Sequence, residues 1–334
     1  MLTVQVSVIA TVRDESCSIA QLLESLRCQT RQPDEVIIVD GGSTDDTLAQ
    51  LQAWEDSRCL PLRVLVQPGC NISRGRNVAI AAANCPIVAS TDAGVGLEPS
   101  WLASLLEPFE GNGAIEPGPI VACGFFLPKA TTAFETALGA TTLPVLADVN
   151  PEGFLPSSRS VAFPKSAWEA AGGYPEWLDY CEDLVFDLRL RARGYRFVFV
   201  PRAVVRFRPR SSLWGFFEQY YRYARGDGKA DLWRKRHAVR YLTYLVALPS
   251  LLWLAMTQSL LWGVPPILGA GIMLFTPYKR LVPAIESLSV LDRLRAIVLV
   301  PIIRGMGDTA KMLGYPVGVY WRWRHRHEIP NWRD

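Results

Sequence analysis

Short apolar runs alternate with helix-period segments over the first 92 residues. The runs are nearly continuous and rich in β-branched side chains, a pattern typical of strands that are covered on both faces. Helical patterns occupy the intervals at about 19–29, 45–54 and 74–84. Strand and helix therefore alternate, which predicts a Rossmann-like, doubly wound α/β domain with a largely parallel sheet. The strands are expected at 4–11 (VQVSVIAT), 35–40 (EVIIVD), 62–67 (LRVLVQ) and 86–92 (PIVASTD).

A different pattern begins at Tyr241, because the 38 residues from there to Tyr278 include no Asp, Glu, Lys, Arg or His. One membrane helix needs about 20 apolar residues, so this stretch is long enough for two short ones. The segment WGVPPILGAG interrupts it with residues that break helices. We expect a helical hairpin over 241–278, with helices at about 241–261 and 264–278.

Basic residues flank this uncharged stretch on both sides. By the positive-inside tendency, both ends of a membrane hairpin would then face the cytoplasm. The alternative is a buried hairpin in a soluble core, although such a hairpin normally shows one polar face. The flanking residues are Arg234, Lys235, Arg236, Arg240, Lys279 and Arg280.

The last part of the chain mixes apolar and basic residues. Its apolar run at 296–303 is too short to span a membrane, and Arg304, Lys311 and an Arg/Trp-rich end follow. This pattern favours one or two amphipathic helices in the membrane interface at about 290–326. We therefore expect a head domain at 1–230 and a membrane region at 231–334.

Charge is distributed unevenly along the chain. Residues 1–188 have a net charge of −14, residues 189–240 of +12 and residues 241–334 of +5. The basic stretch is either a solvated face or, next to the uncharged segment, a surface that lies against anionic lipid. We expect a membrane partner and no nucleic acid.

Two further features concern the compartment. The opening MLTVQVSVIATVRDE lacks the pattern of a signal peptide, so the acidic head is expected in the cytoplasm of a multi-pass membrane protein. The seven cysteines are odd in number and form no CxxC pair. Reduced thiols are therefore expected, rather than disulfides or a zinc site.

Two acids, Asp40 and Asp92, stand where predicted strands end. Ligands of open α/β sheets bind outside the carboxyl ends of the strands, so these acids could hold a nucleotide and a cation. A strand-end Asp also often caps the next turn, so ligand binding and turn capping both remain open for these two acids. The nearby STDD matches a capping box, which would explain Ser43 and Asp46 by helix capping alone.

A general base in the head must be a carboxylate, because histidine occurs only at 237, 325 and 327. The segment CEDLVFDLRLRARG offers Glu182 and Asp183 at the start of a helix expected to end near Gly194. Both acids would also be favoured there by the helix dipole alone. Asp187 is expected to form an i,i+4 ion pair with Arg191.

Four segments resemble, in order and spacing, the family 2 inverting glycosyltransferases over residues 4–230. That resemblance implies an A-type glycosyltransferase fold, a nucleotide-diphosphate sugar donor, and Mg2+ or Mn2+ as cofactor. The segments are VSVIATVRDES, EVIIVDGGSTDDT, ISRGRNVAIAAANCPIVASTDAG and AAGGYPEWLDYCEDLVFDLRLRARGYRFVFVP.

The resemblance also implies roles for individual residues. It puts Asp183 at the catalytic base and Glu182 beside it, toward the acceptor or diphosphate. Nucleoside contacts are implied for Thr11, Arg13 and Asp40, the metal-binding DxD acid for Asp92, and the acceptor-side loop for Gly172 and Gly173.

Glycine replaces a family acid at Gly41 and at Gly94. The change at Gly94 removes one potential cation ligand, yet Mg2+ commonly binds one carboxylate together with substrate phosphates and waters. Arg74 and Arg76 would either direct positive charge at the donor phosphates or form a solvated helix face.

The segment FFEQYYRYARGDG resembles the QxxRW signature of membrane-bound members such as cellulose and hyaluronan synthases, with Tyr in place of Trp. The resemblance assigns Gln219 and Arg222 to the diphosphate and Tyr223 to a sugar ring of the acceptor. An amphipathic interfacial helix explains the same residues and is compatible with that role.

The expected function is inverting transfer of a sugar to a membrane-embedded or lipid-linked acceptor at the cytoplasmic face. Two short spans do not enclose a polymer path, which disfavours a processive polysaccharide synthase in one chain. A catalytically silent A-type scaffold is the main alternative, and Gly94 favours it. A nucleotidyltransferase is disfavoured because ATVRDES lacks a glycine-rich phosphate loop.

Overall fold

The computed structural model describes residues 4–110 and 119–329. The chain forms two compact units, the first comprising residues up to 128 with 146–208, and the second Lys129–Val145 with Pro209–Ile329. The compact units therefore divide at 128, 145 and 208, whereas the sequence predicts a boundary at 230. Residues 209–230 and the segment 129–145 belong to the second unit, because their helices pack against the later helices rather than the sheet.

The first unit contains one sheet with eight strands among the described residues, in the order β3-β2-β1-β4-β7-β6-β8-β5. Strands β1 to β4 pair in parallel, as the sequence predicts, and each of them overlaps its predicted range. The other half is mixed, because β7 runs antiparallel to both β4 and β6. The strands are β1 (Val6–Val12), β2 (Glu35–Asp40), β3 (Leu62–Val66), β4 (Ile87–Ser90), β5 (Val95–Leu97), β6 (Ile120–Pro128), β7 (Val161–Pro164) and β8 (Arg196–Phe207).

Twelve α-helices lie in the described residues, and the first three begin within two residues of the predicted positions. Four 3-10 turns (Glu107–Phe109, Leu146–Asp148, Pro151–Gly153, Leu260–Gly263) and a π-helical segment (Leu242–Ala247) complete the helical structure. The helices are α1 (Ile19–Arg27), α2 (Thr47–Ser57), α3 (Ile72–Ala82), α4 (Trp101–Leu106), α5 (Ala133–Thr142), α6 (Lys165–Ala171), α7 (Glu182–Ala192), α8 (Leu213–Lys229), α9 (Arg234–Tyr241), α10 (Leu248–Thr257), α11 (Val264–Ala284) and α12 (Val290–Arg324).

Strand β1 shows why the strand sequences are almost continuously apolar. Val8 and Ala10 join the hydrophobic cluster that includes α1, whereas Ile9 joins a second cluster with α3 on the other face. Successive side chains of a strand point to opposite faces, so a sheet covered on both sides needs apolar residues at every position. This arrangement leaves the strand ends as the place for polar groups.

Helices α8 and α12 of the second unit approach each other backbone to backbone. A Cβ on Gly314 would lie 2.2 Å from the carbonyl oxygen of Tyr221, and one on Gly318 would lie 2.0 Å from that of Arg225. Only glycine permits this spacing. The predicted interfacial segment is thus one continuous helix, which buries a face against α8 and α5.

Two helices in the described residues are long and apolar enough to cross a membrane, Arg234–Thr257 and Leu260–Ala284. The most apolar parts of these two helices are 0% and 6% buried, so neither helix is covered by the described part of this chain. The first helix ends at Thr257, four residues before its predicted end, and the second begins at Val264, as predicted. Pro265 and Pro266 fall in the first turn of α11, where a missing N–H costs no helical hydrogen bond.

Candidate active site

The end of β2 is occupied by a tightly bonded turn. The Oδ1 of Asp40 accepts hydrogen bonds of 2.9 Å from the N–H groups of Gly42 and Ser43, and its Oδ2 accepts one of 2.5 Å from the Ser43 hydroxyl. Asp40 is also fully buried. The carboxylate therefore holds this turn, and the nucleoside contact that the resemblance implies for Asp40 stays a prediction.

The interpretation of STDD as a capping box for α2 is wrong. Asp46 precedes α2 but makes no capping hydrogen bond with its side chain. Asp45 does this work, because its Oδ1 accepts from the N–H of Thr47 at 3.0 Å and its Oδ2 accepts from that of Ser16. Ser43 instead links Asp40 to the loop after β1, where its hydroxyl accepts from the N–H of Asp14.

The end of β1 brings several predicted donor residues to the same edge. The hydroxyl of Thr11 is buried without a hydrogen-bond partner in the described structure, and Gly75 of α3 lies against it. Arg13 and Arg74 are exposed, and both lie near Cys70. Burial raises the pKa of the Cys70 thiol, while the two guanidinium charges oppose that shift. Two exposed arginines therefore lie near the ends of β1 and β2, and Arg13 is 3.7 Å from the carboxylate of Asp14.

One arginine connects two of the predicted acidic positions. Arg76 donates from one terminal nitrogen to Asp92 at 2.9 Å and from the other to Glu182 at 2.7 Å. Its side chain is only 3% exposed, whereas that of Asp92 is 29% exposed. Arg76 is therefore neither a phosphate-facing nor a solvated residue, and both predicted roles are wrong. It joins α3, the end of β4 and the start of α7.

Burial and charge act against each other in this cluster. Burial by itself lowers the pKa of Arg76, but Asp92 and Glu182 outweigh it and raise that pKa. Burial and the neighbouring Asp183 raise the pKa of Glu182 to about 7, against the opposing charge of Arg76. Glu182 is therefore the carboxylate of this cluster whose protonated form burial favours.

A second arginine, Arg159, faces the other oxygen of Asp92. Its Nε lies 3.7 Å from Asp92 Oδ2, and its guanidinium lies 4.4 Å from the ring centroid of Phe207 and 5.5 Å from that of Phe126. Nothing in the surrounding sequence, a loop that precedes β7, singled this residue out. Such a contact joins residues from distant parts of the chain, so only the fold reveals it.

Helix α3 fixes the loop that was assigned to the acceptor side. Asn77 accepts from the N–H of Tyr174 at 2.8 Å and from the indole of Trp168 at 2.9 Å, and Ser73 donates to the carbonyl of Leu178. Gly173 lies at the start of this loop with φ +75°, and a Cβ there would lie 3.0 Å from the Oδ1 of Asn77, closer than ordinary contact. Side chains of the ISRGRN motif thus hold, by hydrogen bonds, the loop that leads into α7.

Helix α7 begins with the two acids, as predicted, and ends at Ala192. Asp183 is half-buried and accepts a 2.8 Å hydrogen bond from the N–H of Leu184, and it forms no ion pair with any described residue. Cys181 precedes the acids in the left-handed region, with φ +65°. This strained turn directs the chain sharply into the helix.

The prediction for Asp187 is wrong. Its carboxylate is buried, its Oδ2 has no hydrogen-bond partner, and no ion pair with Arg191 forms within the described ranges. Arg191 instead lies over the ring of Phe197. Burial raises the pKa of Asp187 well above its ordinary value, with a further contribution from Asp183.

The QxxRW-like residues lie on α8 in the second unit. Gln219 donates to the hydroxyl of Tyr223 at 2.8 Å, and Arg222 pairs with Glu218 one helical turn before it. All three predicted residues are half-buried. The helix thus presents them on neighbouring positions, as their spacing predicts.

The carboxylate, histidine and cysteine residues that the structure describes form no cluster of three or more that could hold a metal ion. Asp92 presents Oδ2 to a cation more readily than Oδ1, because Oδ1 already accepts a hydrogen bond from Arg76. Oδ2 has no hydrogen-bond donor among the described residues and belongs to a partly exposed side chain. This donor set fits a cation that takes one ligand from the protein and the rest from substrate and water.

Curated relatives share part of this chain. It is 26% identical over 206 residues to the O-antigen chain rhamnosyltransferase WbaN of Salmonella anatum, a match that covers 57% of this chain and 62% of that protein. It is 27% identical over 219 residues to the O-antigen biosynthesis protein RfbC of Myxococcus xanthus, with 59% and 16% covered. The chain thus spans less than two thirds of either relative.

Among solved structures, the mannosyltransferase PcManGT from Pyrobaculum calidifontis, in complex with GDP-Man and Mn2+, has a similar fold. The match has a TM-score of 0.55 at 18% identity and covers 97% of this chain and 88% of that one. The family model for glycosyl transferase family 2 matches residues 7–127, and that for glycosyl transferase family group 2 matches residues 137–290. With the strand-end acids, the acidic start of α7 and this fold, the chain belongs to the family 2 glycosyltransferases and has their A-type fold.

Proposed function

We propose that this chain moves a sugar from a nucleoside-diphosphate sugar to a lipid-linked or membrane-embedded acceptor, with inversion at the anomeric carbon. The observation that carries the proposal is the buried ion-pair chain Asp92–Arg76–Glu182. It ties the strand end, where ligands of such sheets bind, to the first turn of α7, where Asp183 lies.

Asp183 is the general base of the proposed reaction. Its carboxylate takes the proton of the acceptor hydroxyl as that oxygen attacks the anomeric carbon, and the nucleoside diphosphate leaves from the opposite face. Glu182 is buried on Arg76, so it positions the start of α7 rather than meeting the acceptor. Asp183, half-buried and without an ion pair among described residues, is the better placed of the two.

The leaving diphosphate needs positive charge near it. The exposed Arg13 and Arg74 lie near the ends of β1 and β2, and we assign them to the donor phosphates. Arg159 adds a third positive charge beside Asp92. Thr11 remains the proposed nucleoside contact, since its buried hydroxyl has no partner within the described residues.

A divalent cation, Mg2+ or Mn2+, is the proposed cofactor. Asp92 would hold it through Oδ2, and when bound it would neutralise charge on the leaving diphosphate. The similar mannosyltransferase was solved with GDP-Man and Mn2+, which supports a nucleotide-sugar donor and a divalent cation for this chain. Two neighbouring arginines and the missing acid at Gly94 make us expect weak cation binding without donor.

The second unit provides most of the proposed acceptor side, and Gly173 is a proposed contact from the first unit. Two exposed apolar helices with basic outer ends support a multi-pass position in the cell membrane with the first unit in the cytoplasm. Gly173, Gln219, Arg222 and Tyr223 are the proposed acceptor or diphosphate contacts. The names of the two curated relatives favour an acceptor of the O-antigen kind.

The test is transfer from a panel of nucleotide sugars, GDP-mannose and a dTDP-sugar included, by the purified full-length chain with Mn2+ and a lipid extract. Asp183→Asn should lower transfer by a factor of about 100 to 10,000, the usual contribution of a general base. The matched control is Asp187→Asn, the same change one turn further along α7, which should retain transfer.

Product stereochemistry supplies a second readout. Nuclear magnetic resonance of the first product should show an anomeric configuration opposite to that of the donor. Retained configuration, or equal loss of transfer in both variants with both proteins folded, would contradict the assignment of Asp183. A folded chain that neither binds nor uses any donor would favour the silent scaffold.

A further inference from the structure

A small polar cavity lies within the second unit, enclosed by α5, α8 and α12. Its volume is about 90 Å³. The polar groups that line it include Thr142, Tyr220, Arg304, Asp308 and Lys311. A cavity of this size admits a few ordered waters or one tetrahedral anion, and its polar lining is unusual in a unit that otherwise exposes apolar helices.

Positive charge dominates the lining. Lys311 has its Nζ 4.8 Å from the ring centroid of Tyr220, and no carboxylate of the described residues accepts a hydrogen bond from it. Burial, together with the charges of Arg240 and Arg304, lowers the pKa of Lys311 to about 8. The Nε of Arg304 is enclosed and has no hydrogen-bond partner in the described structure. The positively charged side chains of Lys311 and Arg304 thus line the same small cavity.

The single carboxylate among the described lining residues is already neutralised. Asp308 accepts a 2.8 Å hydrogen bond from Arg240 at Oδ1 and a 2.9 Å hydrogen bond from the hydroxyl of Tyr244 at Oδ2. Arg304 lies 3.6 Å from the same Oδ2, beyond hydrogen-bond distance. Asp308 therefore orients Arg240 and Arg304. Lys311 and Arg304 keep N–H groups that make no hydrogen bond to it.

The position of the cavity relative to the first candidate span indicates its level in a membrane. Arg240 and Tyr244 lie in the first candidate span, Arg234–Thr257, at the point where the basic stretch gives way to the uncharged one. Asp308 bonds to both, so the cavity lies at the level where that span begins. In a bilayer this is the level of the lipid head groups.

We propose that this cavity binds the phosphate of a lipid phosphate ester, the anchor group of the lipid-linked acceptor. The proposal rests on the proposed function, because it supplies the acceptor side of the same transfer. Phosphate oxygens accept hydrogen bonds from the Lys311 ammonium and the Arg304 guanidinium, and the Tyr220 hydroxyl, which is hydrogen-bonded to Thr142, lines the same space. The cavity is too small for a sugar ring, so it selects the anchor and leaves the saccharide outside.

The test measures binding by native mass spectrometry of the full-length chain in detergent. The probes are a long-chain isoprenyl phosphate, the corresponding isoprenol, and inorganic phosphate as a competitor. Lys311→Met and Arg304→Met should each weaken binding of the isoprenyl phosphate by about tenfold or more, as expected for loss of a hydrogen bond to a charged group. Lys311→Arg should restore it.

The control is Arg295→Met, which removes the same charge from an exposed position of the same helix. It should bind as the unaltered chain does, and the isoprenol should bind poorly to every variant. Equal binding of isoprenyl phosphate by the Lys311→Met and unaltered chains overturns the proposal. So does tight binding of inorganic phosphate that displaces no lipid.

The same variants separate this proposal from the proposed function. If transfer occurs, Lys311→Met should raise the KM for the lipid acceptor about tenfold or more and leave the KM for the donor unchanged. Transfer with an unchanged acceptor KM rejects the cavity alone. Absence of any transfer rejects the proposed function, while the binding measurement still decides whether the cavity takes a lipid phosphate.

Discussion

The guanidinium of Arg76 donates a 2.7 Å hydrogen bond to the carboxylate of Glu182, which lies 106 residues further along the chain. Both side chains are buried. Removing one partner of such a pair leaves an uncompensated charge in a medium of low polarity. This contact is therefore the part of the candidate site most sensitive to substitution.

Arg76→Met should destabilise the first unit by about 3 to 5 kcal/mol. The measurement is denaturant unfolding followed by tryptophan fluorescence. Arg74→Met provides the control, because Arg74 is exposed on the same helix and its loss should change the free energy of unfolding by less than about 0.5 kcal/mol. Equal effects of the two substitutions would show that the buried ion pair is not formed.

Glu182 should make stability depend on pH. Its pKa is about 7 in the folded chain against an ordinary value of 4.5, so the folded state binds the extra proton between these values. The free energy of unfolding then falls as pH rises from about 4.5 to about 7, and the contribution is complete below that window. Glu182→Gln should flatten the profile there, by up to about 3 kcal/mol.

The comparison is made between thermal unfolding profiles of the two proteins. Asp187 also has a raised pKa from burial and titrates in the same direction, but it is present in both proteins and largely cancels from their difference. Parallel profiles over this window would contradict a buried, proton-binding Glu182.

Gly172 and Gly173 both have positive φ, at +71° and +75°, yet only one of them is crowded. A Cβ on Gly173 would lie 3.0 Å from Asn77 and 3.2 Å from Trp168, while one on Gly172 meets nothing within 4 Å. Gly172→Ala should cost about 1 to 2 kcal/mol for the backbone conformation alone. Gly173→Ala should lower the free energy of unfolding by more than this. Equal melting temperatures of the two variants would argue against a close contact between this loop and Asn77 of α3.

The contact between α8 and α12 should tolerate no side chain at Gly318. A Cβ there would lie 2.0 Å from the carbonyl of Arg225, so Gly318→Ala must separate the helices at a cost of about 1 to 3 kcal/mol. Gly305→Ala is the control on the same helix, because nothing lies within 4 Å of its Cβ position. It should be neutral or stabilise α12 by up to about 1 kcal/mol, as thermal unfolding in detergent would show.

Cation binding should require a nucleotide. Asp92 supplies one free oxygen between two arginines, so calorimetry should detect Mn2+ binding only when a nucleoside diphosphate is present. Asp92→Asn should weaken that binding about tenfold or more. Tight binding of Mn2+ to the nucleotide-free chain would contradict a site with one protein ligand.

Local pattern was enough to predict much of the first unit. The period and composition of the four apolar runs predicted the parallel strands, and the acids at 182 and 183 marked the start of α7 correctly. These features depend on neighbours within about ten residues. The second helix of the hairpin begins at Val264, as predicted, because prolines are tolerated in the first turn of a helix.

The remaining site features depend on distant contacts. Whether Asp40 faces a ligand or a turn depends on the path of residues 41–43, and the structure shows the turn. Arg76 and Arg74 are equivalent in the sequence, yet one is buried and the other exposed. Arg159 comes from a loop with no recognisable pattern.

By itself, the sequence determined the α/β head, the family resemblance, the acidic pair at the start of α7 and the uncharged stretch at 241–278. Those properties follow from periodicity, composition and short spacing. The tertiary structure alone decided which charges meet: Arg76 with Asp92 and Glu182, and Arg240 with Asp308. The physical reason is that a buried charge is tolerated only beside its partner, and the partner is chosen by the packing of elements that lie far apart in the chain.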